Sequence, residues 1–121
     1  MSVLELKIRE VLLRARISKA YKGYSFLEYA IHLVIEDESR LCHIYNEVYV
    51  PVAEHFGVTP IAVEKNLRTL RDAFWQNYGY EFFKEQCNVI LYSRPYPREV
   101  IEILAQKVED EIRKEGQEKN K

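Results

Sequence analysis

Gly57, Val58, Thr59 and Pro60 follow one another near the middle of the chain, and they constrain its fold more than any other stretch. Glycine tolerates positive φ and so ends one helix cheaply. Threonine caps the free amides of a helix start, and proline has φ preset for a first helical turn. One helix must therefore stop at Gly57 and another begin at Pro60. Helices joined that tightly cross at a steep angle. The crossing demands a small residue in the first helix and a β-branched or aliphatic residue inside the second. Ala53 and Val63 occupy those positions, with Val52, Phe56 and Val58 as apolar neighbours. Val63, Leu67, Leu70 and Phe74 then continue as one helical seam. The pattern fits a helix–turn–helix, whose second helix enters the major groove of DNA. It equally fits a plain helical hairpin with a glycine turn.

The rest of the chain reads as helices too. Leu4, Ile8, Val11, Leu12 and Ala15 have helical spacing over about 2–16. After Gly23, Ser25 and Glu28 have the spacing of a capping box, followed by Leu27, Ala30, Ile31 and Val34. A third helix is expected at about 39–48, interrupted by Pro51, which opens a short helix ending at Gly57. The central helix from Pro60 is expected to end near "NYGY". Phe82, Phe83, Val89, Ile90 and Leu91 read as buried, and "NVILY" could be a short strand, though it has no obvious partner. Pro97 opens a last helix with Ile101, Leu104, Val108 and Ile112 as its seam. Residues 1–115 are thus expected to form one all-α domain of about six helices, with the helix–turn–helix at about 51–75 and no wing. Residues 116–121 are expected to be a disordered tail.

This organisation excludes several classes. No run approaches the roughly 18 apolar residues of a membrane span, and the N-terminus lacks the continuous apolar core of an export signal. Cys42 and Cys87 share no metal-binding or redox spacing, which fits reduced, core-filling thiols in a cytoplasmic protein. His32, His43 and His55 have no metal-ligand spacing. There is no Gly-rich phosphate loop and no nucleophile elbow, so neither an enzyme, a metal nor a cofactor is expected. The net charge of −1 counts mildly against nucleic acid, but charge is unevenly placed. Lys7, Arg9, Arg14, Arg16, Lys19 and Lys22 crowd the first 22 residues, and Lys65, Arg68 and Arg71 lie on the central helix. If these cations share one face, a neutral protein can still present a basic surface.

Three stretches together carry a family likeness. "KGYSFLEYAI" is similar to a Lys-Gly-Tyr-x-x-Leu-x-x-Ala-Ile motif. "EVYVPVAEHFGVTPIAVEKNLRTLRDAFW" has the proline-opened short helix, Ala-x-x-Phe, the Thr turn, Val-Glu-basic-x-aliphatic-Arg and the closing Trp. "SRPYPREV" falls where a Lys-x-Lys-Pro loop precedes the last helix. In this order and spacing, over about 100 residues, the chain resembles the C-terminal DNA-binding domain of sporulation-initiation response regulators, the stage 0 sporulation protein A family.

The resemblance implies an all-α fold and major-groove binding of double-stranded DNA by residues 60–75. It also implies tandem copies meeting on repeated boxes. Glu64, Lys65 and Arg68 match the family's reading-helix Glu, Arg and Arg. Ala62 stands where the family has arginine, and Thr69 where it has histidine. Arginine to guanine is the commonest specific base contact, so the family's box is not expected to be read in the same way. The usual regulator also carries a phosphoryl-accepting receiver domain, for which 121 residues leave no room. The chain is expected to be either an excised effector domain or a free-standing one.

Lys65 and Arg68 are therefore the leading base or phosphate contacts. Thr69 shares the exposed face, and Ile61 and Ala62 could meet a thymine methyl. Glu64 could accept from cytosine N4, or pair with Arg68 at i,i+4. Thr59 caps the helix and could present its N-terminus to a phosphate. Lys22 and Arg94 would flank the reader as phosphate contacts, with plain solvated surface as the alternative. Val100 and Ile103, off the seam of the last helix, could form the contact of a homodimer. The competing reading is a degenerate helix–turn–helix that binds another protein and not DNA. Localisation is expected to be cytoplasmic, at the nucleoid.

Overall fold

Local sequence rules decide where most of the helices begin and end. The computed structural model describes residues 1–119, all of it helices and connecting loops with no strand among those residues. α1 spans Val3–Arg14, and the Ser2 hydroxyl caps it by accepting from the Glu5 N–H at 3.1 Å. α2 spans Gly23–Glu36. A 3-10 helix, Glu38–His43, follows, headed by Asp37, whose carboxylate accepts from the Ser39 N–H. After a π turn, Tyr45–Tyr49, the chain enters α3, Val50–Phe56. α4, Pro60–Phe74, passes through a second π turn, Trp75–Gly79, into α5, Tyr80–Cys87. A loop then leads to α6, Pro97–Lys119.

α2 is the hub, packed against α6, α4 and α1. Its buried Leu27, Ile31 and Val34 meet Val11 and Leu12 of α1, Leu67 and Leu70 of α4, and Ile101, Leu104 and Val108 of α6 in one core. The helical spacings in the sequence anticipate all of these. Gly23 permits the closest approach. A Cβ there would lie 2.6 Å from the carbonyl oxygen of Asn66, so only glycine lets the start of α2 lie on the middle of α4.

Among the described residues there are six α-helices, but they are not the expected six. The 39–48 segment is a 3-10 helix and a π turn, and α5 takes its place in the count. Pro51 breaks nothing. In an α-helix its missing N–H would orphan the Glu47 carbonyl, and its ring would press on that group. Here the π turn widens the backbone, with the Val50 N–H reaching Tyr45, and the Arg40 guanidinium donates to the Glu47 carbonyl at 2.6 Å. Ser25 and Glu28 form no capping box, because α2 starts two residues earlier and Glu28 accepts from Arg9 at 3.0 Å. "NYGY" does not end the central helix but carries it through a π turn. "NVILY" is loop: Asn88 takes a left-handed φ of 56° and ends α5, with the Val89 N–H bonded back to Phe83. α6 continues through Lys119, past the expected start of the tail at Gly116, and residues 120–121 lie outside those described. Cys42 is exposed and Cys87 half-buried, so neither fills the core. Burial pushes the Cys87 thiol up to about 11.

Candidate nucleic-acid interface

The tight turn is built as the sequence requires. Gly57 has φ of 66°, and its N–H and that of Val58 both return to the Ala53 carbonyl. Ala53 and Val63 are buried where α3 and α4 meet. The Thr59 hydroxyl accepts from the Ala62 N–H at 3.1 Å, capping α4 behind Pro60. With its seam of Val63, Leu67, Leu70 and Phe74 against the core, α4 turns its other side outward.

That outward side holds the expected reader. Thr59, Ile61, Lys65, Arg68 and Thr69 are exposed, and Ala62 and Glu64 are half-exposed. Ile61 is 70% exposed, an apolar side chain on the same face as Lys65 and Arg68. Glu64 and Arg68 form the i,i+4 pair, Oε1 to Nη2 at 2.5 Å. Such a pair is worth about 0.2–0.5 kcal/mol, well below the ~1–3 kcal/mol of an arginine–guanine contact, so it orients Arg68 without locking it away. The Thr69 hydroxyl donates to the Lys65 carbonyl at 3.2 Å, leaving its methyl free.

Two flanks bound this face. On one side the contact of Gly23 with Asn66 sets Lys22, exposed, beside the middle of α4. On the other side the loop before α6 is tied to α4 by two bonds. The buried Arg71 donates to the Pro95 carbonyl at 2.8 Å, and Arg94 pairs with Asp72 at 3.0 Å. Between this loop and α4 runs an open groove of about 900 Å³ whose lining includes Glu64 and Arg68. Tyr49 lies at its base. Burial raises the Tyr49 hydroxyl above its ordinary pKa; Glu64 adds to the rise, and Arg68, Arg71 and Arg98 oppose it.

The cation-rich N-terminus does not join the reader as expected. Lys7 is only 6% exposed and holds Glu115 at 2.5 Å and Glu10 at 3.1 Å, and its pKa is raised chiefly by the Glu115 bond. Arg9 is spent on Glu28 and Arg14 on Glu111. The Arg16 guanidinium lies 3.8 Å over the Tyr78 ring. These cations brace α1 against α2, α5 and α6, and only Lys19 and Lys22 of the set are both exposed and outside such contacts. Val100, expected on the outer side of α6, is buried in the core, and Ile103 is half-buried. His55 is exposed but stacked 4.1 Å from Tyr29. Sequence reasoning overlooked Arg98, Tyr92 and Tyr96, which also line the groove beside α4. The alternation of "YSRPYPR" was the available signal, and tyrosine's usual packing role hid it.

A capped helix with one face outward, joined to a short preceding helix by a glycine turn, is the arrangement of a helix–turn–helix domain. The family model described as sporulation initiation factor Spo0A C terminal matches residues 8–113, and the chain belongs to that family. It is a family of DNA-binding domains that regulate transcription at the initiation of sporulation, and not one of enzymes. No described helix is long and apolar enough to cross a membrane.

Proposed function

We propose that the domain recognises duplex DNA by sequence, with the N-terminal half of α4 in the major groove. Arg68 and Lys65 reach base edges or adjacent phosphates. Glu64 accepts from a cytosine amino group, and Ile61, Ala62 and the Thr69 methyl pack on thymine methyls. Thr59 brings the amide-rich start of α4 to a phosphate, and Lys22 and Arg94 hold the phosphates on either side. The carrying observation is the exposed Ile61 on the same face as Lys65 and Arg68. A thymine methyl in the major groove would bury it. With Ala62 in place of arginine, the box read is a different one from the family's usual target.

Copies sit in tandem on repeated boxes, in contact through surfaces other than Val100, and the protein acts at the nucleoid in the cytoplasm. The test is selection from random duplexes at low salt, followed by a salt titration on the retained sequences. Retention of a common motif is expected, with a log–log slope of about 0.9 per phosphate neutralised. No duplex retained at about 50 mM salt contradicts the proposal and favours a protein-binding role.

A further inference from the structure

The loop before α6 alternates in a way its backbone alone does not require. Pro95 and Pro97 are buried, while Tyr92, Arg94, Tyr96 and Arg98 face solvent. Tyr92 is 96% exposed and Tyr96 73%. Two tyrosines this bare stabilise nothing in the fold. Arg98 is placed against its own helix. It is the second residue of α6, where a cation opposes the helix dipole. Glu99 accepts from the Tyr96 N–H at 3.0 Å, Asp72 is shared by Arg71 and Arg94, and Arg98 forms no ion pair among the described residues. Departures from such local rules concentrate at functional surfaces.

The geometry points to this segment as a clamp on the DNA sugar–phosphate backbone, with Tyr92, Tyr96 and Arg98 as its contact residues. The inference rests on the reading of α4 as the major-groove helix. A helix in the major groove lies between two phosphate backbones. Lys22 stands on one side of α4, and this loop stands on the other, across the groove that Arg68 and Glu64 line. Four arginines and two glutamates line that groove, so its charge suits a polyanion. Tyrosine hydroxyls and guanidinium groups both donate to phosphate oxygens. The bond from Arg71 to the Pro95 carbonyl keeps the loop in register with α4, so the clamp would move onto DNA together with the reader. Contacts of this kind add affinity and register but carry no base preference.

The test compares wild type with Arg98→Gln and Tyr92→Ala on the selected duplex and on a random-sequence duplex of equal length. Both side chains are exposed, and circular dichroism of each variant is expected to match wild type. Arg98→Gln should make the salt slope shallower by about 0.9. Each variant should weaken binding to the two duplexes by the same factor and leave the selected motif unchanged. Wild-type affinity and slope in both variants would overturn the clamp while leaving recognition by α4 intact. A loss confined to the selected duplex, with an altered motif, would overturn it too, since the loop would then read bases. If wild type retains no duplex at all, the clamp and the reading of α4 fall together.

Discussion

Replacing Gly23 with alanine sets two opposing effects against each other. Gly23 lies in the first turn of α2, where alanine ordinarily favours the helix by about 0.5–1 kcal/mol. Its new Cβ, however, would sit 2.6 Å from the Asn66 carbonyl oxygen and 3.2 Å from the Leu70 Cβ. Carbon–oxygen contacts settle near 3.3 Å, so α2 and α4 would have to part by roughly 0.7 Å. The obstacle is backbone and cannot rotate away. Overpacking of this kind costs about 1–3 kcal/mol, leaving a net loss of up to about 2.5 kcal/mol. An unfolding entropy near 2.1 cal/mol/K per residue converts this to a fall in Tm of up to roughly 10 °C. Gly116→Ala is the control, because nothing lies within 4 Å of its Cβ position and only the helical gain applies. Differential scanning calorimetry of both variants should show Tm falling for Gly23→Ala and rising slightly for Gly116→Ala. Parallel rises would refute the close approach of α2 and α4, and with it the placement of Lys22 beside the reader.

Two further predictions concern the cap and the ion network. Thr59→Ala removes the bond to the Ala62 N–H and should cost about 1 kcal/mol in urea unfolding, while Thr59→Ser keeps the hydroxyl and should cost far less. At Glu111, burial raises the carboxyl, but Arg14 and Lys107 together outweigh it and hold the pKa below its ordinary 4.5. Its contribution to stability is therefore present above pH 4.5 and lost as pH falls through the lower folded value. The stability gap between wild type and Glu111→Gln should be constant near neutrality and close in acid. A gap that persists unchanged down to pH 3, measured by denaturant midpoint, would contradict the network.

The turn, the seams and the outward face of α4 are legible because each rests on a local rule. Glycine at positive φ, a threonine cap before proline and apolar residues at three- and four-residue spacing need no knowledge of distant neighbours. What escaped depended on partners far along the chain. Pro51 reads as a stop until Arg40, eleven residues earlier, is seen to satisfy the carbonyl it orphans. The basic N-terminus reads as a DNA-facing surface until Glu28, Glu111 and Glu115 are seen to take up its charges. Val100 reads as an outer residue of α6 because helical spacing cannot show that α6 is covered on more than one side. Tyr92 and Tyr96 read as packing residues because composition carries no sign of which tyrosines the fold leaves bare.

Selection from random duplexes with Arg68→Ala beside wild type tests the central claim most directly. If α4 reads bases, the variant should lose its preference at one position of the selected motif, or bind that motif more weakly by the ~1–3 kcal/mol of one base contact, and keep the remaining positions. Lys22→Ala, a flanking phosphate contact, should instead lower affinity evenly across sequences. Recovery of the same motif with the same affinity from Arg68→Ala would show that the exposed face of α4 does not read DNA.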